Sequence, residues 1–164
     1  MDDPSWLDSA RGYLDLGMLD EADAALASLT NEQRESEPGR ELAISIALNR
    51  SDNEIAFRLS EELCRQWPAS HAGPIQGAYA LHALGRTEEA ILFLQAGPGH
   101  LREEAVYYYN LACYEATLGR SEAAVSWVLE SVLHDPAFRE RALEDPDLAG
   151  ILERLKASFE NEEA

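Results

Sequence analysis

The side chains able to do chemistry are few and scattered. The four histidines, His71, His82, His100 and His134, lie eleven or more residues apart. None stands three or four residues from another, the spacing that sets two imidazoles on one helix face toward a metal ion. Cys64 and Cys113 have no short-spaced partner, so they form neither a disulfide framework nor a zinc motif. Both read as small buried thiols. The pattern predicts no metal centre and no cofactor. "GPGHLR", Gly97 to Arg102, looks like a phosphate loop only at first glance. It lacks the preceding strand, the closing glycine and the lysine that such loops use. There is no G-x-S-x-G and no Cys/His context for an activated nucleophile. The many carboxylates fall on helix faces, where solvation explains them. A non-catalytic protein is expected.

Charge narrows the partners. The chain of 164 residues carries 31 acids against 13 bases, a formal charge of −18. Such a surface repels phosphate backbones and anionic lipid, which argues against nucleic acid and membrane partners. At 46% hydrophobic and 27% charged residues, the composition is globular. "MDDPSWLDSARG" has neither a basic start nor an apolar stretch, and no run approaches the length of a membrane span. A cytoplasmic location is expected.

The elements that would position any binding site come from a repeat. "LGRTEEAILFL" at Leu84–Leu94 returns as "LGRSEAAVSWV" at Leu118–Val128, and more loosely as "LGMLDEADAAL" at Leu16–Leu26. The step is 34 residues. It aligns Gly17, Ser51, Gly85 and Gly119 in one column, and Ala22, Ala56, Ala90 and Ala124 in another five residues later. Seven residues before the glycines stand Ala10, Ile44, Ala78 and Ala112; seventeen after them stand Arg34, Pro68, Arg102 and Pro136. Each unit holds two helical stretches with apolar residues at three- and four-residue intervals, and none alternates as a strand would. The glycine ends the first helix in the left-handed conformation. Asp52, Thr87 and Ser121 are placed to cap the second. Alanine lets the paired helices approach closely. Gly97-Pro98-Gly99 is expected to cut short the second helix of the third unit.

These residues resemble the tetratricopeptide repeat family. Trp6, Ala10, Tyr13, Gly17 and Ala22 match its 34-residue unit first. Ser51, Ala56, Leu63 and Pro68 follow, then Ala78, Leu81, Gly85 and Ala90, then Leu111, Ala112, Gly119, Ala124 and Pro136. Arg34 and Arg102 depart from the family, standing where proline is usual. The ending, "DPAFRERALEDPDLAGILERL", is similar to that of a bacterial tetratricopeptide-like group. The resemblance implies an all-α, right-handed α-solenoid of about four helix-turn-helix units. The repeat region runs over 3–136, in units of about 3–36, 37–70, 71–104 and 105–138. Capping helices occupy 137–160, with Asp145 capping the last and Leu148, Ile151, Leu152 and Leu155 covering the end of the stack. A solvated tail, 161–164, completes the chain.

In such solenoids the first helix of each unit lines a concave wall. The resemblance places Leu7, Arg11 and Leu14 there from the first unit, and Ser45 and Asn49 from the second. The third gives Ile75, Tyr79 and His82, and the fourth Tyr109, Asn110 and Cys113. This wall has aromatic and amide groups and little positive charge, so it does not suit a clamp for a terminal carboxylate. It implies a scaffold or adaptor that binds a peptide or a helix from a protein partner. The alternative is a structural protein that forms a homodimer through its tail helix or convex face. The consecutive tyrosines 107, 108 and 109 point about 100° apart on a helix, so the three cannot share one role.

Overall fold

A computed structural model describes residues 5–162, apart from the side chains of Ser5, Trp6 and Glu162. The repeat position assigned to Trp6 and the last two residues of the expected tail therefore lie outside what is described. The described residues are all-helical, with no strand, and no helix is long and apolar enough to cross a membrane. The chain divides into two compact units, residues 1–85 and 86–164.

The first unit holds α1 (Ser5–Asp15), α2 (Leu19–Ser28), the short α3 (Asn31–Glu35), α4 (Glu37–Asn49), α5 (Asn53–Gln66) and α6 (Ala72–Ala83). Here α1 packs on α2, α4 on α5, and α6 on α5. One core gathers Leu7, Ala10, Ala22, Leu42 and Ile46; the other gathers Ile44, Ala47, Ala56, Leu63 and Ala80. The second unit holds α7 (Thr87–Gln95), a 3-10 turn at Gly99–Glu103, α8 (Ala105–Thr117), α9 (Ser121–His134) and α10 (Phe138–Glu144). A 3-10 segment (Pro146–Ile151) then runs into α11 (Leu152–Glu162). There α8 packs on α9, and the 3-10 segment lies on both. Leu148, Ile151, Leu155 and Phe159 are buried, whereas Leu152 is only half-buried.

The elbows repeat in atomic detail. Gly17, Ser51, Gly85 and Gly119 have φ of 69°, 60°, 76° and 74°. They are the positive-φ residues of the described chain. Each donates its N–H to a carbonyl three residues back, Leu14, Leu48, His82 and Ala116 in turn, at 2.8–3.0 Å. The residues after three of them, Met18, Asp52 and Arg120, donate five residues back to Tyr13, Ala47 and Glu115 at 2.8–2.9 Å. This paired closure satisfies carbonyls that a helix end would otherwise leave open. Five residues past the turn, Ala22, Ala56, Ala90 and Ala124 are all fully buried.

Capping differs from the sequence expectation. Asp52 precedes α5 but its side chain caps nothing, and Thr87 and Ser121 are already the first residues of their helices. The turn itself supplies the closure, so no side-chain cap is needed at these starts. Caps appear instead where no elbow precedes the helix. Thr30 and Gln33 form a reciprocal capping box on α3, and the Ser36 hydroxyl accepts from Gly39 N–H at the start of α4.

Second helices end in two ways. α5 and α9 each run 14 residues and are followed by Pro68 and Pro136. α2 and α7 run only 10 and 9 residues, α7 stopping just before Gly97-Pro98-Gly99 as expected, and each is followed by a short helical turn. The arginine in the proline column then closes the shortened end. Arg34 donates to the Ala27 carbonyl at 2.9 Å, and Arg102 to the Gln95 carbonyl at 3.2 Å. A guanidinium at a helix C-terminus also suits the helix dipole.

Two outcomes follow from this geometry. Ala124→Leu forces atoms into a closed seam and is expected to cost about 1–3 kcal/mol. Ala24→Leu, on the exposed side of α2, stays within about 0.5 kcal/mol. Urea unfolding of both variants checks the contrast. Ser51→Gly relieves a left-handed backbone strained for an L-residue and raises stability by up to about 1 kcal/mol. Gly119→Ala lowers it by a similar amount, with no clash to confuse the result, since a Cβ there meets nothing within 4 Å. Thermal unfolding midpoints moving the opposite way would remove the elbow's assigned role.

Candidate functional site

The expected wall positions have three different fates. In the first unit, Arg11, Leu14, Asp15, Ser45 and Asn49 come together and line a depression of about 390 Å3. They arrive from α1 and α4, four residues apart on each helix, which sets them on one face. Asn49 Nδ2 donates to the Ser45 carbonyl at 2.8 Å. Ser45 Oγ accepts from Gln76 Nε2 of α6 at 3.0 Å, so the third helix is tied to the same wall. On α6, Ile75 and His82 are half-buried, and Tyr79 is 51% exposed. Its ring is amphipathic, an apolar body with a polar hydroxyl, of the kind enriched at interfaces.

Leu7 does not belong to this wall. It is fully buried against Ala10, Ala22, Leu42 and Ile46. The side chain that the resemblance puts in the groove turns into the seam between α1 and α4.

The fourth-unit positions are covered. Tyr109 is 2% exposed and Cys113 is 7% exposed; Asn110 is half-buried. The chain's own C-terminal segment covers them. Tyr109 Oη donates to Asp145 Oδ2 at 2.5 Å, its ring lies 5.1 Å from that of Phe138, and the Arg141 guanidinium sits 4.9 Å above it. Tyr109 and Cys113 are thus packing residues of the second unit, a correction to their expected place in an open groove. Burial and the bond to Asp145 push the Tyr109 phenol up beyond the usual alkaline range. Burial pushes the Cys113 thiol up to about 12, with Asp145 and Asp147 adding to the rise and Arg141 opposing it.

The neighbouring tyrosines divide their roles as their directions require. Tyr107 is buried, with the Arg102 guanidinium 5.5 Å from its ring. Tyr108 is half-buried; it donates to the Arg102 carbonyl at 3.0 Å and stacks on Trp127, and the His134 ring lies 4.8 Å away, tilted. Trp67 likewise packs against a core, that of the first unit.

One group of donor atoms escaped the sequence reading. The Cys113 sulfur and a carboxylate oxygen from each of Asp145 and Asp147 lie within 4.8 Å of one another. Spacing rules could not find it, because more than thirty residues separate the cysteine from the aspartates. The available signal was Asp145 as a helix cap. It does cap: its Oδ1 accepts from Asp147 N–H at 2.9 Å, which turns both carboxylates toward α8. A further surface depression, of about 480 Å3, brings Arg120 and Arg154 beside Glu122. Arg120 already pairs with Glu88 and Glu115 there.

No protein-family model matches the chain, and comparison with curated proteins finds no relative.

The Tyr109 contact makes a prediction about pH. Its folded pKa lies above the unfolded value of about 10, so its contribution is complete below pH 10 and falls as pH rises above it. Tyr109→Phe removes a donor from Asp145 and is expected to cost about 1–3 kcal/mol at pH 7. The same variant should lose less additional stability than the parent between pH 9.5 and 11. Urea unfolding across that interval reads both effects.

Proposed function

We propose that the chain is a tetratricopeptide-like α-solenoid acting as a non-catalytic interaction module, which binds an extended peptide or helix of a partner protein on the wall of its first unit. The left-handed elbows at 34-residue steps, each followed by a buried alanine, support the architectural half of this reading. The observation that carries the functional half is the shared depression built by Arg11, Leu14, Asp15, Ser45 and Asn49. It is continued on α6 by the Ser45–Gln76 bond and exposed Tyr79. A guanidinium, a carboxylate, an amide and a hydroxyl lining one depression, with an exposed aromatic ring on α6, make a surface for main-chain amides and one apolar anchor. Neither charge dominates the depression, so recognition rests on hydrogen bonding and shape rather than long-range attraction.

The second reading, self-association, rests on Leu92 and Leu133, which are 66% and 76% exposed on α7 and α9. Dimerisation through the tail helix has less to stand on. Leu155 and Phe159 of α11 face inward and are buried.

Selection from a random peptide library displayed on phage tests the first reading. The parent chain should enrich a consensus, and Asn49→Ala and Tyr79→Ala should each weaken the selected peptide by about 1–2 kcal/mol. Enrichment that ignores both substitutions, or none at all, would sink it. Light scattering over a hundredfold dilution separates the second: a Leu133-dependent dimer supports it, a constant monomer removes it.

A further inference from the structure

We propose that Cys113, Asp145 and Asp147 form a binding site for one thiophilic divalent cation of the zinc class. Three donor atoms, one sulfur and two carboxylate oxygens, converge within 4.8 Å of one another. Around a tetrahedral zinc ion, sulfur at about 2.3 Å and oxygen at about 2.0–2.2 Å stand roughly 3.4–3.6 Å apart. The three atoms lie within 4.8 Å of one another, wider than that spacing, and an inward movement of the carboxylates would close the remainder.

A second observation concerns the thiol. Cys113 is nine-tenths buried and free of any disulfide. Beyond its own main-chain N–H, its sulfur has no hydrogen-bond partner among the described residues; its main-chain carbonyl accepts from Thr117. The bonds of Asp145 go to Tyr109 and to Asp147 N–H, one on each oxygen, which leaves a lone pair on each. Arg141, the cation close by, lies over the rings of Tyr109 and Phe138. It makes no ion pair with either aspartate among the described residues. Two carboxylates, one half-buried and one exposed, thus converge on a buried sulfur with no ion pair of their own among the described residues. A divalent ion would sit between the three.

The donor set selects the ion. Sulfur disfavours Mg2+ and Ca2+, while two oxygens disfavour Cu+. Zn2+ and its spectroscopic substitute Co2+ suit the mixture. Asp147 is exposed, so the fourth position opens to water. Binding releases the Cys113 thiol proton to solvent and leaves the thiolate on the metal. The ion would tie the start of the 3-10 segment to α8, so it stabilises the second unit and needs nothing from the peptide-binding wall.

The experiment uses the full chain, stripped with a chelator and titrated with Co2+. A sulfur-to-cobalt charge-transfer band that saturates at one equivalent is expected, and Zn2+ should bleach it. Cys113→Ser should abolish the band and Cys64→Ser should leave it. Asp147→Asn, an exposed substitution that spares the core, should weaken binding by about tenfold or more while circular dichroism stays unchanged. Zn2+ should raise the thermal midpoint of the parent and not of Asp147→Asn. No band at one equivalent, a band that depends on Cys64, equal binding of Mg2+, or indifference to Asp147→Asn would each overturn the assignment.

Discussion

The structure depends on one tight constraint: a chain must end one helix and begin the next within three residues, leaving no carbonyl of the first unsatisfied. A residue in the left-handed region achieves this, because it aims its own N–H and the next one back at the carbonyls the first helix leaves open. The second helix then starts at once, and its first inward position falls five residues after the turn. That position is fully buried at all four places, and alanine fills it each time. Turn and alanine are therefore a single device. Its four occurrences, at residues 17, 51, 85 and 119 with alanines at 22, 56, 90 and 124, share φ values within 16° of one another and complete burial. Ser51 marks how strongly the geometry is imposed, since a non-glycine residue is held at φ 60° to keep it.

The far end of each unit is less constrained, and there the chain alternates. α4 and α8 have bounds 68 residues apart, and so do α5 and α9. After long second helices comes proline, which cannot continue a helix. After short ones comes an extra turn whose arginine binds a terminal carbonyl. Both devices meet the same requirement. A run of exposed carbonyls must be ended, either by removing the next donor of the helix or by bringing in a side-chain donor from seven residues on.

This explains which features were legible in the amino-acid sequence. Elbows, alanines, the starts of α4 and α8 and the short α7 depend on residues a few positions apart, and such dependence leaves a periodic trace. Arg34 and Arg102 leave a trace too, but it looks like a loss of proline until the carbonyl partners are seen. The caps Thr30 and Ser36 were readable from T-x-x-Q and S-x-x-G spacing. The strong period drew attention to Asp52, Thr87 and Ser121 instead, where a left-handed turn had already made a cap unnecessary. The burial of Tyr109 and Cys113 is of another kind. It is decided by a segment near residue 145, and nothing in the local pattern of α8 records that segment's return.

Corresponding positions on α4 and α8 show what that return changes. Ser45 and Cys113 stand 68 residues apart at one place in the repeat. Each is met by a polar side chain from a later element in its own unit: Gln76 from α6 bonds Ser45, and Asp145 comes beside Cys113. The following elements differ in what they leave uncovered. α6 is a full helix that keeps Tyr79 outward and leaves Arg11, Asp15 and Asn49 lining an open depression. The C-terminal segment instead lays Phe138, Arg141 and Asp145 on Tyr109 and closes the face. A repeated wall therefore stays open only where its successor leaves room, and the repeat pattern alone carries no information about the successor. The closed face instead gathers a buried sulfur, a half-buried carboxylate and an exposed one, which the returning segment holds beside α8.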